Sequence, residues 1–182
     1  MPTSVPANVL PMDRAAGLGG HTRRVGRLSA QIAQTLAMPP VEVAIIQRAA
    51  LLHDLGKIAI PPSILLKPGP LTRGEFERMK THTTLGARML ASRRLPLLQR
   101  AEVIALTHHE RWDGSGYMGL AGHAIPMAGR IVTVADVYDA LVAERPYKPA
   151  WPAAEAIAEI CRQSGRQFDP RVVEAFLHVA QS

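Results

Sequence analysis

Seven imidazole or carboxylate groups, His21, His53, Asp54, His82, His108, His109 and Asp136, lie in or beside apolar, helix-like stretches of this chain. The most telling stretch is Ala49-Ala50-Leu51-Leu52-His53-Asp54-Leu55-Gly56-Lys57, where two groups that resist burial interrupt an apolar run at the point where a core helix should continue. Leaving such groups buried and unsatisfied costs roughly several kcal/mol each, a cost a metal ion removes by meeting their charge and lone pairs. Donors spread over five segments therefore predict one metal cage assembled by tertiary folding. Imidazoles and carboxylates without thiolates suit a catalytic iron, manganese or zinc site and argue against a structural zinc site. Asp54, beside His53, is the candidate for a carboxylate shared by two ions. Such a pair, roughly 3.5–4 Å apart, is the equipment of a phosphohydrolase.

Taken one at a time, the donors read differently. His21 or His109 could cap a helix end, His82 could face solvent, and Asp136 could be a buried carboxylate paired with Arg130 or Arg145. Only the joint pattern outweighs these readings. His123, in a Gly-rich loop, and His178, on the last helix, stay outside it.

The elements that must position these groups read as helices. One starts near His21 and runs to about Ala37, with Val25, Leu28, Ile32 and Leu36 as its apolar stripe. Pro39 and Pro40 end it, and Pro40 opens a second helix that carries Val43, Ile46, Ala50 and His53 and ends at Gly56. Residues 58–70, with Pro61, Pro62, Pro68 and Pro70, predict an extended connector. Thr72-Arg73-Gly74-Glu75 is a capping box that announces a helix bearing Phe76, Met79, His82, Leu85 and Met89. Further helices are expected over about 96–109, 126–143, 152–163 and 170–180, the last with Asp169 as N-cap and Pro170 in its first turn. The stretch Glu110 to Gly122 holds Gly114, Gly116, Gly119 and Gly122 and reads as a long loop, of the kind that usually carries function. No segment alternates with period two. The expected fold is all-α, a single-domain bundle of about seven helices over residues 21–182, after a Pro- and Gly-rich leader over residues 1–20 that is poorly ordered or partly helical.

Composition fits this reading. The chain has 182 residues, 47% apolar and 4% aromatic, enough for one aliphatic core. Lys and Arg number 21 against 15 Asp and Glu, a net charge of +6 that suits an anionic ligand such as a nucleotide. Nucleic-acid binding rests on that charge alone, without aromatic interleaving of the basic residues, and ranks last. The single cysteine, Cys161, excludes an intrachain disulfide and predicts a reducing cytoplasm. No apolar run approaches the roughly 20 residues of a membrane span, and no signal pattern opens the chain.

The ordered motifs His21-Thr22-Arg23-Arg24-Val25, Leu51-Leu52-His53-Asp54-Leu55-Gly56-Lys57-Ile58, His108-His109-Glu110-Arg111-Trp112-Asp113-Gly114-Ser115-Gly116-Tyr117, Ala135-Asp136-Val137-Tyr138-Asp139-Ala140-Leu141, Arg145-Pro146-Tyr147-Lys148 and Phe168-Asp169-Pro170 closely resemble the HD-GYP domains. These form a branch of the HD metal-dependent phosphohydrolases, and a lone His-Asp dipeptide would be weak by comparison. The resemblance implies a bacterial signalling phosphodiesterase that hydrolyses cyclic di-GMP to linear pGpG or GMP. It implies divalent ions, iron or manganese, held by His21, His53, Asp54, His82, His108, His109 and Asp136. Asp54 would bridge, with His21, His53 and Asp136 around one ion and His82, His108 and His109 around the other. Lys57 would stand beside the scissile phosphate, and Arg145, Lys148, Asp113, Gly114 and Tyr117 would bind substrate. Asp139, three residues after Asp136, would orient a ligand or an arginine. A regulatory or diguanylate-cyclase-type protein partner is implied as well.

Two departures stand out. The family's Gly-Tyr-Pro reads Gly116-Tyr117-Met118, which removes the fixed φ of proline and predicts a looser loop. Members credited with a third metal carry an acidic residue one turn before the first His, where this chain has Gly17, so two metals are expected. The rival readings are a catalytically weak cyclic-dinucleotide receptor and an HD phosphohydrolase acting on another nucleotide.

Overall fold

A computed structural model describes residues 20–91, 94–144 and 150–181. The leader and Gly17 therefore lie outside the described residues, as do Arg145 and Lys148. Eight α-helices occur among the described residues: α1 His21–Thr35, α2 Pro40–Ala49, α3 Pro62–Leu65, α4 Arg73–Leu90, α5 Pro96–Thr107, α6 Met127–Val142, α7 Ala153–Arg162 and α8 Pro170–Ala180. No strand is formed there; the one β-bridge, Ser164 to Phe168, is isolated. No helix among the described residues is long and apolar enough to cross a membrane.

The bundle is organised around α1, which packs on α2, α6 and α8, while α5 joins α2, α4 and α6. Their shared interior is aliphatic, with Val25, Ile32, Ile46, Ile104, Ile131 and Val134 fully buried and Phe168 and Phe176 closing it from the α8 side. Proline punctuates the chain as expected: Pro40, Pro62, Pro96 and Pro170 each stand in the first turn of a helix, where a missing N–H is harmless. The capping box is complete, with Glu75 N donating to Thr72 Oγ1 at 3.3 Å and Thr72 N donating to Glu75 Oε2 at 2.7 Å.

Two expectations are corrected. The second helix does not run on to Gly56. It ends at Ala49, tightens to a 3-10 turn over Ala50–Leu52, turns at His53 and Asp54, and resumes as a 3-10 helix over Leu55–Ala59. Consecutive residues of a straight α-helix point about 100° apart. Breaking the helix here, with Asp54 at φ −101°, ψ 9°, lets both side chains reach one centre. The connector over 58–70 is also not simply extended, because Pro62 starts the single turn α3.

One glycine permits the corner to seat. A Cβ on Gly56 would overlap His82 O and Gly86 N of α4, so only glycine lets the 3-10 helix lie against the helix that carries His82.

Candidate metal centre

The seven donors arrive from five elements. His21 opens α1, His53 and Asp54 form the corner after α2, and His82 lies within α4. His108 and His109 follow the end of α5, and Asp136 lies within α6. Folding brings them into two groups. His21, His53 and Asp136 form one, and Asp54, His82, His108 and His109 form the other; within each, one ligand atom per residue lies within 4.8 Å of the rest.

Asp54 stands between the groups. Its Oδ2 faces His53 Nε2 at 3.3 Å, and its Oδ1 faces His82 Nε2 at 3.4 Å and His108 Nε2 at 3.6 Å. Asp136 Oδ1 lies 3.2 Å from His21 Nε2 and 3.8 Å from His53 Nε2.

The backbone decides which nitrogen of each ring faces inward. His53 Nδ1–H donates to Ala50 O at 2.7 Å, His82 Nδ1–H to Met79 O at 2.8 Å, and His108 Nδ1–H to Ala105 O at 3.0 Å. A carbonyl can only accept, so each Nδ1 carries a proton, and each ring in its neutral form presents an Nε2 lone pair to the centre. His21 Nδ1–H donates to Asp139 Oδ2 at 2.7 Å, and Arg24 holds the same carboxylate through Nε at 2.6 Å and Nη2 at 3.0 Å. Asp139 is buried and does not lie on the solvent face.

Lone pairs thus converge on lone pairs. His53 Nε2, Asp54 Oδ1 and His109 Nε2 are buried without a hydrogen-bond partner. Orphaned acceptors facing one another need cations between them, and the donor set fits divalent ions. Burial, with His108 as neighbour, lowers the His82 imidazole to about 3, and burial with His108 and His82 holds His109 well below its ordinary value. Both are therefore neutral and ready to ligate. Burial works against the charge on Asp54, but the Lys57 ammonium, 2.5 Å from Oδ2, and His53 hold its carboxyl far below the usual range. Burial likewise opposes the charged form of His21, yet hydrogen bonds to Asp136 and Asp139 outweigh it and raise the ring to about 9.

The Gly-rich loop closes one side. The Tyr117 ring lies 4.7 Å from His109 and 6.4 Å from His82, with the Phe76 ring of α4 6.0 Å away and nearly perpendicular to it. Asp113 and Gly114 build the loop's turn: Asp113 Oδ1 accepts from Ser115 N and Oγ, Asp113 N donates to Arg166 O, and Gly114 adopts φ +82°. No described contact joins Asp113 to the donors. His123 packs on Trp112, away from the centre. Arg130 pairs with Asp169 at 2.7 Å, so it is not the partner of Asp136.

Sequence reasoning missed Arg24 and Glu110. Arg24 stands one turn from His21, a spacing that could have signalled a shared partner. Glu110 follows the His pair directly, but nothing in a Gly-rich loop announces a buried carboxylate.

A family model described as HD domain matches residues 6–172. The chain is 58% identical over 158 residues to a cyclic di-GMP phosphodiesterase of Thermotoga maritima, covering 86% of this chain and 43% of that protein. It is 43% identical over 165 residues to 3′3′-cGAMP-specific phosphodiesterase 2 of Vibrio cholerae, covering 90% of this chain and 32% of that protein. It thus spans less than half the length of these relatives. A solved HDG"Y"P protein of Bdellovibrio bacteriovorus, Bd1817, superimposes with a TM-score of 0.71 at 20% identity, over 96% of this chain and 55% of that one; at that identity the likeness is one of fold.

Proposed function

This chain belongs to the HD domain family, and on that footing we propose that it is a dinuclear iron- or manganese-dependent phosphodiesterase that hydrolyses cyclic di-GMP to pGpG or GMP in the bacterial cytoplasm. One observation carries the reading: Asp54 turns one oxygen to each of two groups of imidazoles, one in each of which, His53 or His109, has a buried Nε2 without a partner. His21, His53 and Asp136 would hold one ion and His82, His108 and His109 the other, with Asp54 shared. When bound, two such ions supply Lewis-acid stabilisation of a phosphoryl oxygen and activation of water.

The chain's own groups do the rest. Lys57, held against Asp54, puts a positive charge beside the place where phosphoryl charge would develop. Asp139 and Arg24 keep the His21 ring oriented. Tyr117, with the loop turn at Asp113 and Gly114, forms a wall on the His82 and His109 side and shields it from water. Arg145 and Lys148 would meet the substrate's phosphates and guanine.

The identity to the cyclic di-GMP enzyme exceeds that to the cGAMP-specific one, which favours cyclic di-GMP. The latter still supports a second reading, hydrolysis of a mixed cyclic dinucleotide. The test is anaerobic turnover of cyclic di-GMP and 3′3′-cGAMP by iron- or manganese-loaded protein, with products separated chromatographically. Cyclic di-GMP is expected to turn over faster, and Asp54→Ala to lower the rate by at least about 1,000-fold. Tight binding without turnover would make the chain a receptor instead.

A further inference from the structure

Methionine at position 118 has something proline lacks, a backbone N–H. That N–H is used. Met118 N donates to Glu110 Oε1 at 2.8 Å, and Leu120 N donates to Glu110 Oε2 at 2.8 Å. Glu110 is 2% exposed, although it opens a glycine-rich loop. The loop folds back tightly onto it: a Cβ on Gly116 would come within 2.6 Å of Glu110 Cα and 2.7 Å of Arg111 N. Tyr117 lies between Gly116 and the clamped Met118, with its ring against His109. Hydrogen bonds to a carboxylate are stronger than those between neutral groups, and two from one buried side chain fix both the direction and the spacing of the amides.

We propose that Glu110 is a positioning residue: by holding the amides of Met118 and Leu120 it sets Tyr117 as a wall of the His82 and His109 side of the centre. In this chain the Met118 N–H supplies the constraint that a proline ring would otherwise impose. The effect on catalysis rests on the phosphodiesterase reading above; the clamp itself does not.

The clamp is tested at Glu110 itself. Glu110→Gln keeps the shape but places an NH2 donor against one of two N–H donors. In the wild-type protein, residue-resolved hydrogen exchange should show both amides at least about 100-fold slower than in an unstructured peptide. In Glu110→Gln that protection is lost and KM for cyclic di-GMP rises about tenfold, with kcat within about threefold and bound metal unchanged.

Free exchange at either wild-type amide overturns the proposal, as does a Glu110→Gln variant that keeps full protection at both amides or wild-type KM. If Glu110→Gln does not fold, the wild-type exchange rates decide alone. Absence of turnover with any cyclic dinucleotide would overturn the phosphodiesterase reading and silence only the KM comparison; exchange in wild type and in Glu110→Gln would still decide the clamp.

Discussion

His53, His82 and His108 divide their nitrogens in one way: Nδ1–H is held by a carbonyl of the ring's own segment, and Nε2 is left for the centre. His21 differs, because its Nδ1 is held by a carboxylate that is itself gripped by Arg24. Asp139 therefore acts on one group of donors and not on the other. Asp139→Asn is expected to weaken metal binding at His21, His53 and Asp136 by about 10–100-fold and to leave the second group's affinity unchanged, as resolved by metal titration with two stoichiometric steps. Equal weakening of both steps would refute this division. At this scale the donors were legible because His and Asp in apolar helical stretches are rare without a reason, so their types alone pointed to the centre. Glu110 was not legible: its oxygens are satisfied by amides eight and ten residues away, a relation made by loop conformation and not by spacing.

The helices set the angles at which the donors meet. Caps and prolines read directly from sequence because they act within a few residues, as Thr72 and Glu75 do at α4 and Asp169 does at α8. Glu75 also accepts from Lys67 at 2.6 Å; that bond and the Thr72 amide lower its carboxyl from 4.5 to about 2. A carboxyl with a depressed folded value adds stability above its unfolded value and loses it as pH falls through the folded one. The difference in thermal midpoint between wild type and Glu75→Gln is therefore expected to be constant above about pH 5 and to close as pH falls toward 2, as followed by circular dichroism. A gap that widened with acid would contradict the assignment. The stretch 50–56 reads as helix in the sequence because its apolar pattern suits either state. The 3-10 tightening answers to the packing of Gly56 on α4, which lies outside any local window.

Across the whole molecule, the core and the centre are one construction. α1, α5 and α6 bury Ile32, Ile104 and Ile131 in a common interior and carry His21, the His108–His109 pair and Asp136 from the same elements. A ligand that binds only when all five segments are assembled stabilises the fold as a whole. Loading with manganese at about 1,000 times its dissociation constant should add about 4 kcal/mol, or about 8–16 °C in thermal midpoint for a chain of this size. Chelator should reverse the gain, and scanning calorimetry with and without metal checks it. An unchanged midpoint at saturating metal would mean the donors do not bind it in the folded state.

The amino-acid sequence by itself determined the all-α class, most helix starts and stops, the aliphatic core and the identity of the donors. These depend on residue type, short-range periodicity and capping, which act over one or two turns. Only the tertiary structure decided how the donors divide into two groups, that Asp54 faces both, that Asp139 holds His21, and that Glu110 holds the amides of Met118 and Leu120. Those relations lie beyond any local pattern: the donor groups meet across tens of residues, and the Glu110 bonds exist only through the folding of the loop. They exist only once packing has spent conformational freedom to bring the segments together.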